Sequence, residues 1–419
     1  MTRSPRRRVA AALALALVLP FAAASPAAAD SIRDREYWLD DYGVTQAWNT
    51  TRGAGVTVAV IDTGIDGTHQ DLLGAVVGGT DVSGVGSADG QTPVGYSSRE
   101  HGTMVASLLA GRGTGTDSGV IGVAPEASLL SVSVGFGVGT VSSDDQVAQA
   151  VRWSVDNGAD IINMSLTRNT IEWPESWDDA FLYAMQNDVV IVAAAGNRGS
   201  GTTQVGAPAT MPGVLTVAGL DRQGNASFDA SSQGITIGVA APSEELVGAT
   251  PGGGYSSWGG TSGAAPLVAG VAALVRSAHP ELDAGEVIAR ITATARAVPG
   301  EADPSPIYGH GLVNAAAAVT SSVPAAGEDP AQQLSDWIRV YRRADAEPIP
   351  TPTPVLPSPT PIPESEVAGP VSPLGAVLPT IDQLRFVGIP VLVFVVFALA
   401  VGSLGWLARR QFERLGSGG

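Results

Sequence analysis

Three short segments, far apart in the chain, carry residue types that can do chemistry together. They are Val58-Ala-Val-Ile-Asp62-Thr-Gly64, His101-Gly-Thr-Met-Val-Ala-Ser107 and Gly260-Thr-Ser262-Gly-Ala-Ala-Pro266. A serine hydroxyl attacks poorly until a base takes its proton, and an imidazole serves as that base only when a third group holds its tautomer and orientation. That need assigns the roles: Ser262 the nucleophile, His101 the base, Asp62 the orienting acid. The chain order Asp, His, Ser is one of several that build such a triad. Singly, each residue has a plainer reading. Asp62 before Thr-Gly is also a turn former, and Ser262 before an apolar helix is also an N-cap.

Each residue needs an element to hold it. Asp62 ends an apolar run and is expected at the carboxyl edge of a sheet, the usual place for α/β sites. His101 precedes Met104 to Ala110 and is expected at a helix start. Ser262 lies among small residues just ahead of the apolar run from Ala264. A helix start there turns N–H groups and positive dipole toward a developing oxyanion. Asn197, in Ala193-Ala-Ala-Gly196-Asn197, follows an apolar run and is the candidate side-chain donor to that oxyanion, or else a turn asparagine. His69, His279 and His310 read as structural.

The apolar runs Val56 to Ile61, Leu129 to Val134, Ile161 to Met164, Val189 to Ala194 and Val214 to Leu220 lack polar alternation, as strands covered on both faces do. Between them, helical periodicity appears at Val147, Ala150, Val151 and Val155, across Trp177 to Met185, and from Ala264 to Ala278. Strands alternating with helices predict a parallel α/β sheet. The Gly-rich loops lack the Gly-Lys-Ser/Thr ending of a P-loop.

With Asn163-Met-Ser165-Leu166, Gly122-Val-Ala-Pro125 and Tyr308-Gly-His-Gly-Leu-Val-Asn314 added, residues 42–318 resemble the subtilisin-like serine proteases, the subtilases. The resemblance implies a three-layer fold on a mostly parallel seven-stranded sheet. It also implies peptide-bond hydrolysis through an acyl-enzyme, with no cofactor needed for chemistry. The oxyanion would be held by Asn197 and the Ser262 N–H. Substrate would pair as an edge strand with Ser165, Leu166 and Thr167 and with the loop holding Gly135 and Gly137. Gly206 matches the floor of the specificity pocket and implies room for an apolar or large side chain. Two positions depart from the family pattern: Gly263, which would loosen the turn holding Ser262, and Thr167, which stands where glycine is usual. Structural calcium is common in the family. Asp71 matches one ligand position and Asp117 lies in the loop that would supply others, although each is equally a solvated turn residue.

The ends of the chain read differently. Residues 1–29 combine Arg3, Arg6, Arg7 and Arg8, an apolar run and Ala27-Ala28-Ala29, the plan of a secretory signal. The catalytic domain is expected over 30–322, followed by a linker over 323–385 with a short helix near 331–343, read as docked on the domain or else as a partner or membrane-surface contact. From Pro348 to Pro379, 11 of 32 residues are proline, which favours an extended stalk. Residues 386–408 carry no charge and are long enough to span a bilayer, with the basic residues of 409–419 forming a cytoplasmic tail. The signal, stalk and single span are similar to those of mycosins, the membrane-anchored proteases of actinobacterial type VII secretion, and imply secretion-system components as partners. Mycosins usually carry disulfides and an N-terminal extension; this chain has no cysteine and little room for a folding propeptide. A net charge of −17 argues against nucleic acid as a partner.

Overall fold

A computed structural model describes residues 31–95, 98–139, 141–324, 327–342, 389, 391–397, 399 and 401–403. Seven strands form one parallel sheet: β1 (Thr57–Asp62), β2 (Val76–Asp81), β3 (Ser128–Ser133), β4 (Ile161–Met164), β5 (Val190–Ala194), β6 (Leu215–Leu220) and β7 (Ile237–Pro242). Their spatial order is β2-β3-β1-β4-β5-β6-β7. The five strands expected from apolar runs are all present. β4, β5 and β6 are buried along their whole length, because helices must cover both faces of a parallel sheet.

The domain's helices of six residues or more are α1 (His101–Ala110), α2 (Ser143–Asp156), α3 (Glu175–Gln186), α4 (Thr261–Ala278), α5 (Ala284–Ala293), α6 (Ala315–Thr320) and α7 (Pro330–Tyr341). α2 packs on α3 and against β1 and β3, while α1 packs on α4, which crosses β4 to β7. Among the described residues, α4 alone is long and apolar enough to cross a membrane. Fourteen of its eighteen residues are buried, which makes it the central core helix. β8 (Leu246–Thr250) and β9 (Gly254–Trp258) form an antiparallel hairpin leading into α4.

The strand order reverses at β1. From there the chain goes out to the edge strand β2, comes back to β3 beside β1, and then crosses to β4 on the other side. Such a switch point opens a crevice at the carboxyl ends of the strands, and Asp62 is the last residue of β1.

The domain reaches farther than residue 322. Asp329 caps α7 by accepting the Ala331 N–H at 2.8 Å, and Leu334 is fully buried. The Trp337 ring lies 4.2 Å from that of Trp173. Arg342 closes the contact, its Nε 2.8 Å from Asp178 Oδ2 and its Nη2 donating to the Trp173 carbonyl at 2.9 Å. The short helix expected near 331–343 is thus docked on the domain, the first of its two readings, and only the boundary at residue 322 moves. The stretches expected to form a signal, a proline-rich stalk and a cytoplasmic tail lie outside the described residues. Of the apolar stretch near the C terminus, Val391–Ser403 forms a short apolar helix.

Candidate active site

Three sheet edges and two helix starts converge at this crevice. Asp62 is 2% exposed and its two oxygens lie 2.8 and 2.9 Å from His101 Nδ1. The Thr63 N–H also donates to Oδ1 at 2.7 Å, so the carboxylate is fixed from the backbone side. His101 is the first residue of α1. The Gly102 N–H donates to Thr63 Oγ1 at 2.9 Å, tying that helix start to the residue after Asp62. The imidazole rests edge-on against Trp258, with centroids 5.6 Å apart. Burial works against the imidazolium, but the charge and hydrogen bond of Asp62, helped by Glu100, outweigh it. The His101 pKa is held above its ordinary value.

Ser262 is the second residue of α4, and Gly260, at φ 126°, occupies the N-cap. The serine hydroxyl is thus not consumed in capping. It donates to the Ser165 carbonyl at 3.1 Å, while the Ser165 hydroxyl donates to the Ser262 carbonyl at 2.8 Å. Pro266 explains the second bond: it lies four residues on, has no N–H, and leaves the Ser262 carbonyl without its helical donor. The three expected residues thus form one bonded pair, Asp62 and His101, and a separate reciprocal pair, Ser262 and Ser165. In this state the serine proton points to a carbonyl rather than to the imidazole.

Asn197 follows β5 and is oriented by a residue that sequence reasoning did not single out. Its Oδ1 accepts from the Thr261 N–H at 2.8 Å and the Thr261 hydroxyl at 2.9 Å. With the oxygen so occupied, the amide NH2 is the free end. The Gly263 N–H goes to the Gly260 carbonyl at 2.9 Å. No acceptor is found for the Ser262 N–H among the described residues, as suits an N-terminal helix position.

Gly263 does not loosen the turn. A Cβ there would lie 2.2 Å from Leu246 Cδ1, so a buried leucine from β8 fills the space that a larger residue would occupy. Gly206 also departs from expectation. A Cβ on it would lie 1.8 Å from the Arg168 carbonyl oxygen and 2.7 Å from Thr167 Oγ1. The glycine is required by the close approach of Thr167 and Arg168. Ser165 is buried and Leu166 and Thr167 are half-buried. The loop of Gly135 and Gly137 is pinned by Gln146, which accepts the Gly135 N–H at 2.7 Å and donates to the Val141 carbonyl at 2.8 Å. Neither Gln146 nor Trp258 had a signal in its local sequence, since their partners are distant in the chain.

His69 is buried, with Nε2 3.0 Å from the Gly254 carbonyl oxygen. His279 Nε2 lies 2.7 Å from the Val319 carbonyl oxygen, and His310 Nδ1 pairs with Asp303 at 2.7 Å. Each serves packing away from Ser262. Asp71 is buried and accepts the Val120 N–H at 2.8 Å, while Asp117 is exposed.

A serine at a helix start, an Asp–His pair at a sheet switch point and an amide held by that same helix start are the parts of a serine-nucleophile hydrolase of the parallel α/β class. A sequence profile of the Subtilase family matches residues 53–311, and the chain belongs to that family of subtilisin-like serine proteases. Subtilisin DY of Bacillus licheniformis is 40% identical over 276 residues, 64% of this chain and 92% of that protein. Mycosin-4 of Mycobacterium tuberculosis is 36% identical over 352 residues, 72% of this chain and 73% of that one. The structure of MycP1 from the ESX-1 type VII secretion system aligns with a TM-score of 0.61 at 29% identity, covering 73% of this chain and 89% of that one. Fervidolysin of Fervidobacterium pennivorans is 34% identical over 324 residues, which span 70% of this chain but only 45% of that protein's length.

Proposed function

We propose that this chain is a cell-surface serine endopeptidase in which Ser262, His101 and Asp62 act as nucleophile, base and orienting acid. The observation that carries the reading is the Asp62–His101 bond beside a serine whose N-cap role has been taken by Gly260. With Asp62 accepting at Nδ1, the imidazole lone pair is at Nε2. The Ser262 hydroxyl then turns from the Ser165 carbonyl to Nε2 and gives up its proton as Oγ attacks the scissile carbonyl carbon. Asn197 Nδ2 and the Ser262 N–H stabilise the resulting oxyanion. His101 passes its proton to the leaving amine as the C–N bond breaks. Water repeats the sequence on the acyl-enzyme, releasing the acid and restoring Ser262. Substrate lies extended along Ser165 to Thr167 and the Gly135 to Gly139 loop. Contact between Thr167 and Gly206 favours a small P1 residue.

The expected secretory signal over 1–29 and membrane anchor over 386–408 support a catalytic domain held outside the cell. Similarity to Mycosin-4 and to MycP1, described as an essential component of a type VII secretion system, supports proteins exported by such a system as substrates and its components as partners. Hydrolysis of an unfolded polypeptide by the purified full chain, lost in Ser262→Ala, tests the chemistry; retained hydrolysis refutes it. A second reading, a structural subunit with dispensable proteolysis, rests on the same mycosin similarity. Full rescue of a deletion strain's export by Ser262→Ala favours it, and failure to rescue favours the peptidase.

A further inference from the structure

The hairpin Arg112–Ile121 carries the oxygens of a cation site, and the chain supplies its own cation. The hairpin is closed by the Gly113 N–H to the Val120 carbonyl and the Thr114 N–H to the Ser118 carbonyl, both at 3.0 Å. Its tip is Asp117, at φ 57°. On its inner side Gly119 packs against the buried Asp71 carboxylate, so closely that a Cβ there would lie 2.1 Å from Asp71 Oδ1, and the Ser118 and Gly119 carbonyls face Arg33. Carbonyl and carboxylate oxygens arranged on a loop are the ligand set of a hard divalent ion, which is the calcium that the family resemblance suggests here.

The residues do not fit that ion, because Arg33 already stands among the oxygens. Its Nε donates to the Gly119 carbonyl at 3.1 Å and pairs with Glu36 Oε2 at 2.8 Å, and its Nη2 donates to the Ser118 carbonyl at 3.0 Å. The same Nη2 is 2.7 Å from where a Gly113 Cβ would lie, so the hairpin closes directly over the guanidinium. Glu36, also buried, accepts the Ile121 N–H at 3.0 and 3.2 Å. A permanently charged, planar group with five donors satisfies several fixed oxygens at once. Asp117, at the exposed tip, takes no part.

We infer that Arg33 is the built-in cation of this hairpin, taking the place of a divalent ion, and that the turn Arg33–Glu36 locks Arg112–Ile121 onto the domain. The fold's stability is then independent of calcium and dependent on Arg33. Removing the guanidinium leaves Glu36 a buried acid without its paired cation and takes one donor from each of the Ser118 and Gly119 carbonyls.

The test uses the detergent-solubilised full chain carrying Ser262→Ala to stop self-digestion. Thermal unfolding in millimolar calcium chloride and in excess chelator is expected to give the same Tm within about 1 °C. Arg33→Ala is expected to lower Tm by about 5–10 °C and to speed tryptic cleavage after Arg112 several-fold. Arg33→Lys, which keeps charge but loses the fork, is expected to fall between the two. A calcium-dependent rise in Tm that Asp71→Asn abolishes would overturn the inference. So would Arg33→Ala with unchanged Tm and cleavage. Should Arg33→Ala fail to fold, Arg33→Lys and the calcium comparison decide.

Discussion

Replacing Asp62 with asparagine changes one atom and should remove most of the activity. In the native site both carboxylate oxygens face His101 Nδ1, at 2.8 and 2.9 Å, and Oδ1 also accepts the Thr63 N–H. The Thr63 N–H obliges an asparagine to keep its oxygen at the Oδ1 position. Its NH2 then takes the place of Oδ2, 2.9 Å from Nδ1, and presents a donor where the ring needs an acceptor. That pushes the proton onto Nε2, where it blocks uptake of the serine proton. The loss expected in kcat is about 10⁴-fold, equivalent to about 5.4 kcal/mol of transition-state stabilisation. The pH profile should move as well. Because His101 must be neutral to act, native kcat/KM should rise with pH through a value above 6.5, the ordinary value that Asp62 helps it exceed. In Asp62→Asn the raising charge is gone while burial still disfavours the imidazolium, so the acid limb should shift to lower pH. Initial rates on a chromogenic peptide between pH 4 and 10 supply both readouts. A loss under tenfold with an unmoved acid limb would refute the argument that Asp62 sets the tautomer and charge of His101.

Asn197→Ala should lower kcat by about 100- to 1,000-fold with little change in KM, since in the proposed mechanism its NH2 group meets only the oxyanion; steady-state kinetics separate the two. Thr167→Gly should raise kcat/KM for a phenylalanine over an alanine P1 residue by about tenfold or more, read on paired peptide substrates, because the Thr167 side chain narrows the space at Gly206. Leu334→Ala should destabilise the domain by about 2–5 kcal/mol, seen as a lowered denaturation midpoint. A stalk helix detached from the domain would instead give no change.

The catalytic set and central strands were legible because their signals are local. Continuous apolar runs declare buried parallel strands, and Asp62, His101 and Ser262 each sit at an element boundary marked by glycine or by the onset of an apolar helix. β2 was missed because Gly78 and Gly79 in Val76–Asp81 look like a loop. Yet a Cβ on Gly79 would lie 2.2 Å from the Asp89 carbonyl oxygen, so the strand requires the residue that disguises it. The β8–β9 hairpin was hidden by the polar sequence of β9, GYSSW. Contacts between distant segments left no trace: Thr261 turning Asn197, Leu246 filling the place beside Gly263, and Arg33 inside a hairpin more than eighty residues later. The spacing of Leu334, Trp337, Ile338 and Tyr341 marked a helix, but only packing against Trp173 showed where it belonged.

The central claim is that His101, steadied by Asp62, makes one serine nucleophilic. Labelling the native chain with a fluorophosphonate and mapping the adduct by mass spectrometry tests it directly. A single adduct on Ser262 is expected, absent in Ser262→Ala and strongly slowed in His101→Ala. A stable adduct on any other residue, or undiminished labelling of either variant, would contradict it.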